Sequence, residues 1–156
     1  MGKLDVKMNK EGEKLNIQMS GVIDEDVDFQ QYKLVGVQQI SLDLNGILSI
    51  NSCGIREWIK WIGSGVAAQI VFNNCPKVIV DQINMVDGFL PTNAKVISFF
   101  VPYYNESLGV EKNVLFRYGS EFKEGSLTPP SAVKDDSGEV MEMDVIESKY
   151  FKFIKK

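Results

Sequence analysis

From Ile40 to Val101 the apolar residues switch repeatedly between two periods, and no other feature restricts the fold as much. Ile40, Leu42 and Leu44 alternate with Ser41, Asp43 and Asn45, the period of a strand. Ile55, Trp58, Ile59 and Ile62 then fall at i, i+3, i+4 and i+7, with Arg56, Glu57 and Lys60 on the other side. That spacing predicts an amphipathic helix, ended by Gly63 and Gly65. Val66 to Phe72 and Lys95 to Val101 are near-continuous β-branched and aromatic runs, the pattern of strands buried on both faces. Between them Ile79, Ile83 and Val86 form the stripe of a second helix. It starts at Pro76, whose missing N–H costs nothing in a first turn, and Gly88 sits where a C-cap belongs.

Upstream, Leu4 to Met8 and Leu15 to Met19 alternate around Asn9-Lys10-Glu11-Gly12, which predicts a hairpin with Gly12 as its turn residue. The acidic run Asp24-Glu25-Asp26 precedes a short helix expected from Val27 to Tyr32, because acids suit the positive end of a helix. The order is β-β-α-β-α-β-α-β, ending near Val101. Strands alternating with helices imply crossover connections, hence an α/β fold on a largely parallel, mixed sheet with its helices mainly on one face. After Pro102 the character changes. Tyr103 to Phe122 reads as a hairpin region with Asn113 to Tyr118 as its best strand. Glu124 to Glu139, rich in Gly, Ser, Pro and Asp, reads as a long loop, and Tyr150 to Ile154 as a closing strand. The chain therefore divides into an α/β domain, 1–101, and a small β-rich extension, 102–156.

Composition narrows the chemistry. The 156 residues carry 17 basic and 21 acidic side chains and a net charge of −4. That balance argues against nucleic acid, whose nonspecific affinity comes from neutralising phosphates. Histidine is absent, which removes the commonest general base near neutral pH and the commonest nitrogen ligand for metals. Cys53 and Cys75 are the two thiols. Both stand at helix starts, where a thiol pKa falls, but neither has a histidine to act as its base. Small, buried cysteines in a reducing cytoplasm are the plainer reading. No G-x-G-x-x-G or phosphate loop is present. The acids from Asp24 to Asp28 lack the spacing and turn glycine of a calcium loop, so they read as a solvated helix start. The expectation is a cytoplasmic protein with no signal peptide, membrane span, cofactor, metal or catalytic residues.

The strand Asp43-Leu44-Asn45-Gly46 and the turn Ile50-Asn51-Ser52-Cys53-Gly54-Ile55, set in this element order, resemble the STAS family of sulfate transporters and anti-sigma-factor antagonists. Typical members carry D-L-S-G-V, then I-D-S-S-G-[IL] opening a helix. The resemblance covers roughly residues 1–101. Two departures stand out: Asn51 replaces the usual aspartate, and Cys53 the second hydroxyl residue. In the antagonists the first serine of the pair is phosphorylated by a partner kinase, and it matches Ser52. The resemblance thus implies a noncatalytic bacterial signalling module. Its phospho-acceptor would be Ser52, and its partner surface would include Asn51, Cys53, Gly54, Arg56, Glu57 and Trp61. The extension resembles a zinc ribbon of two C-x-x-C-G knuckles stripped of its cysteines. The matching places read Asn105-Glu106-Ser107-Leu108-Gly109 and Lys134-Asp135-Asp136-Ser137-Gly138. Structural zinc needs thiolate or imidazole ligands, so this degenerate ribbon is expected to be metal-free and held by aromatic packing.

Other readings stay open at this level. Ser52 can be a helix N-cap, a job Asn51 can also do, and Ser49 is a weaker acceptor in the same loop. Trp61 lies at the margin of the apolar stripe, either in the core or at an interface, where Trp is enriched. The carboxyl ends of the strands, near Asn73-Asn74, are where α/β sheets bind ligands. A domain sensing a nucleotide or lipid therefore competes with the signalling reading, as does a structural adaptor without a switch. The oligomeric state is open.

Overall fold

The computed structural model describes residues 3–155. Two strands, β1 (Asp5–Glu11) and β2 (Lys14–Ile23), form the expected antiparallel hairpin. Gly12 supplies the positive φ of +60° at its turn. The short helix expected from Val27 to Tyr32 is instead a single 3-10 turn, Phe29–Gln31. Asp28 lies inside the expected span, and its carboxylate accepts from the Gln30 N–H, starting the turn too late for a helix to grow. Next come β3 (Gln39–Ile50), α1 (Ser52–Gly63), β4 (Gln69–Asn73), α2 (Lys77–Met85) and β5 (Ala94–Val96). β2 to β5 pair in parallel, and the five-stranded sheet runs in chain order, β1-β2-β3-β4-β5. An α/β architecture on a mixed sheet follows.

Alternation divides this sheet into a dry face and a wet one. Leu15, Ile17, Ile40, Leu42, Leu44, Ile70 and Phe72 are buried on the helix side. There α1 seats Trp58 edge-on to Phe72 and stacked on Phe89, with its indole N–H on the Phe89 carbonyl at 3.1 Å. On the other side the register lines up Gln18, Asp43 and Asn73 in one row and Asn16, Ser41, Val71 and Lys95 in the next. None of these seven is buried. The run from Val66 to Phe72, read as buried on both faces, is therefore covered on one only, whereas the run from Lys95 to Val101 has no exposed residue and buries both Ser98 and Phe99.

Several boundaries differ from expectation, each for a local reason. β3 does not stop at Asn45; two register shifts let β2 follow it past Gly46, where a Cβ would stand 2.4 Å from that of Ser20. Residues 64–67 form turns, so β4 begins only at Gln69. α2 ends at Met85 because Val86 is extended, and Gly88 (φ +87°) belongs to the following turn. The run from Lys95 to Val101 breaks at Ile97. Ile97 donates to Phe72 and accepts from Tyr118, and β6 (Ser98–Asn105) then leaves for a second sheet. The 101/102 division thus falls inside a strand.

The second sheet is antiparallel. β6 pairs with β7 (Val110–Arg117) and β11 (Val140–Met143), and β10 (Val133–Lys134) flanks β11. β8 (Phe122–Lys123) and β9 (Ser126–Leu127) form a separate ladder, so the 124–139 segment is not wholly loop. The expected closing strand from Tyr150 to Ile154 is absent; α3 (Glu147–Tyr150) and a 3-10 turn, Lys152–Lys155, stand there instead. A short apolar run does not by itself separate strand from helix, and here tertiary contacts decide. The Asn84 amide donates to the Tyr150 carbonyl (2.8 Å) and accepts from the Phe153 N–H (3.0 Å). Phe116, Phe122, Tyr150, Phe151 and Phe153 gather around Phe99, the aromatic packing expected of this segment.

Candidate interaction site at the corner between β3 and α1

β3 delivers the chain to an exposed corner. Leu48 is 71% exposed, Ser49 is exposed and Ile50 half-buried before the strand gives way to α1. Asn51 (φ −105°, ψ 179°) is the N-cap, its Oδ1 accepting from the Gly54 N–H at 2.9 Å. Ser52 occupies the first helical position and is exposed. The capping bond is therefore made by Asn51, and the Ser52 hydroxyl is not needed for it. Arg56, one turn on and exposed, shares its side of the helix.

The remaining residues proposed from sequence divide. Cys53 is half-buried, and Glu57 is half-buried with its carboxylate 3.5 Å from Lys60. Gly54 is not a surface residue. A Cβ there would stand 2.3 Å from the Ile23 carbonyl oxygen, so this glycine exists to let α1 touch the end of β2. Trp61 is not an interface residue either, being only 2% exposed. Its ring stacks on Phe29 at 4.6 Å and its indole N–H donates to the Tyr32 carbonyl at 2.7 Å. The 3-10 turn that replaced the expected helix lies over it. Cys75 is wholly buried, and burial pushes its thiol far up, away from a reactive thiolate.

One member of the corner was not foreseen. Glu25, 26 residues before Asn51, accepts from the Asn51 amide at 2.8 Å. A backbone N–H and then this amide hold its carboxyl below the usual range. Asp24, Glu25 and Asp26 bring carboxylate oxygens within 4.8 Å of one another, and Asp24 also caps the Asp26 N–H. The acidic run is thus a fixed anionic rim attached to the cap of α1. Only the charge run was visible beforehand; its pairing with Asn51 is a long-range contact.

Just beyond the carboxyl ends of β4 and β5, Asn74 and Ser98 form a network with Asp43 of β3. The Asn74 amide donates to Asp43 at 3.2 Å, and the Asn74 N–H donates to the Ser98 hydroxyl at 2.7 Å. Asn74 holds a positive φ of +54° there, a conformation asparagine tolerates. A cavity along β1, β2 and β3, between Ser20, Asp43 and Asn45, is about 180 Å³. That is below the usual size of a small-molecule site, roughly 300 Å³ and upward, whereas a cavity just beyond the end of β2, lined by Lys3, Leu4, Asp24, Asp26 and Tyr32, is about 450 Å³. No protein-family model matches the chain, and no curated protein or solved structure shows significant similarity to it. Among the described residues no helix is long and apolar enough to cross a membrane.

Proposed function

We propose that the chain is a noncatalytic, STAS-like protein-interaction module acting as anti-sigma-factor antagonists do. Its contact surface is the corner formed by Leu48, Asn51, Ser52 and Arg56, and phosphate on Ser52 is its switch. The observation that carries this reading is the division of labour at the helix start: Asn51 does the capping while Ser52 stays exposed beside it. A phosphate there adds nearly two negative charges. The helix N-terminus and Arg56 accommodate them, so the fold tolerates the modification. The Asp24–Asp26 rim is already anionic, so a docked partner would meet a much stronger negative field after modification, which opposes binding by repulsion and desolvation. Leu48 gives the unmodified surface an apolar anchor. In this proposal the extension is the metal-free remnant of a two-knuckle ribbon. Support comes from the contact of its two glycine turns through Asn105 and Asp135.

The test is capture from the native cell with wild-type and Ser52→Asp protein as bait, together with phosphosite mapping of the endogenous chain. A kinase-like ATPase retained by wild type alone, with phosphate on Ser52, supports the proposal. Identical captures and an unmodified Ser52 would overturn it in favour of a plain adaptor.

A further inference from the structure

The two edges of the five-stranded sheet are not equivalent. β5 is three residues long, and the extension guards it: Lys95 reaches Glu124 at 2.9 Å and lies over the Tyr118 ring. β1 is seven residues long, and six of them are exposed. Unpaired edges of this length are templates for another strand.

Which backbone groups of β1 face outward follows from the hairpin. Gly12 and Glu13 form a two-residue turn closed by the Glu11–Lys14 pair, with the glycine in the first central position of a type II′ turn. The closing pair of such a turn exchanges hydrogen bonds. Lys7, Asn9 and Glu11 therefore direct their backbone groups to β2, while Val6, Met8 and Lys10 direct theirs outward. The Glu13 carbonyl accepts from Gln38 and Gln39 on the far side of β2, as this parity requires.

We propose that β1 is a self-association edge, two copies pairing antiparallel about a twofold axis through Asn9 and continuing the sheet across both. Residues opposed across such an axis must lie on the same face, so only same-parity registers are allowed. Centred on Lys7, the ladder sets Lys7 against its own copy. Centred on Met8, it sets Asp5 against Glu11 twice. Centred on Asn9, it sets Lys7 against Glu11 of the second copy and Glu11 against Lys7, two attractive pairs flanking an Asn9–Asn9 contact. The outward groups of Met8 then bond those of Lys10 in the other copy. The Lys10 stem lies beside Met8, the one large apolar side chain exposed on this strand (39%). Charge thus selects one of the three central registers. Both sets of helices stay on the same face, and the ladder is short enough to make the association weak and concentration-dependent.

Sedimentation velocity over a concentration series, on the full chain, tests this. Wild type is expected to pass from monomer to dimer. Glu11→Lys replaces both attractions with Lys–Lys repulsion and should raise the dimer Kd by about tenfold or more. Lys7→Glu combined with Glu11→Lys restores both pairs with reversed sign and should return the Kd to near the wild-type value. Hydrogen exchange supplies a readout on unmodified protein: the Met8 and Lys10 amides should slow with concentration while that of Asn9 does not change. Wild type that stays monomeric throughout overturns the proposal. So does a dimer indifferent to Glu11→Lys, a double variant that fails to recover, or outward amides whose exchange ignores concentration.

Discussion

Asn105 and Asp135, thirty residues apart, cap two glycine turns and lock them together through a 2.8 Å bond from Asn105 Nδ2 to Asp135 Oδ2. The same Nδ2 donates to Glu139 at 2.8 Å. Asn105 Oδ1 accepts from the N–H groups of Ser107 and Leu108, so the amide can point only one way. An NH₂ group thus sits between two carboxylates. Asn105→Leu should remove the lock, leave Asp135 Oδ2 and the Glu139 carboxylate without this donor, and lower the melting temperature. Hydrogen exchange should show the loss confined to the turns at 105–109 and 135–139.

The lock also sets a pH dependence. The Ser137 hydroxyl first, then the Asn105 amide, hold the Asp135 carboxyl down to about 2, from an ordinary 3.8. A lowered folded-state pKa contributes stability that is complete above the unfolded value and lost as pH falls through the folded one. The loss therefore belongs between about pH 4 and pH 2. Glu124, held to about 2 by the Tyr118 hydroxyl and Lys95, titrates in the same window. The readout is accordingly the difference between wild type and Asp135→Asn, whose melting temperature should fall less steeply over that interval.

At the start of α1 the two neighbouring polar residues should behave differently. Asn51→Ala removes the cap and is expected to cost about 1 kcal/mol. Ser52→Ala should cost no more than a few tenths of that, and Ser52→Asp should be neutral or slightly stabilising at a helix N-terminus. Urea unfolding of the three variants checks the order. A Ser52→Ala cost equal to that of Asn51→Ala would mean the serine is structural.

Gly54→Ala drives a methyl into the Ile23 carbonyl, a backbone neighbour that cannot rotate away. The expected loss is about 3 kcal/mol, seen as a lower urea midpoint with an unchanged slope.

Trp61→Phe keeps a ring against Phe29 but leaves the Tyr32 carbonyl without its donor, and should cost roughly 1–3 kcal/mol. Trp61→Ala also empties the stack and should cost about 3–5 kcal/mol. Thermal unfolding of the pair separates the two contributions.

How much of this could be read beforehand depends on whether the deciding contact is local. The β1–β2 hairpin, the alternation of β3 and the stripe of α1 are properties of consecutive residues, and they were legible. Trp61 was not, because its position at the stripe margin leaves burial to whatever lies above it, and that is Phe29, 32 residues earlier. Tyr150 to Ile154 misled for the same reason: an aromatic run suits a strand as well as a helical turn, and the choice is made by Asn84 and the ring cluster about Phe99. At the candidate site Asn51 and Ser52 were found from a turn motif. Glu25 is tied to them by one side-chain bond across 26 residues, which no local pattern announces.

The five-stranded sheet is laid down in the order in which its strands are written. A chain emerging from the ribosome N-terminus first completes the β1–β2 hairpin, then adds β3, β4 and β5 in turn to a strand already in place. No strand waits for a partner not yet synthesised, so the search for pairing stays short-range throughout synthesis. The growing edge always lies at the newest strand, and it is closed only when Tyr118 and Glu124 arrive over Lys95. Translation itself thereby serves as the assembly sequence of the sheet, with the extension as its last step.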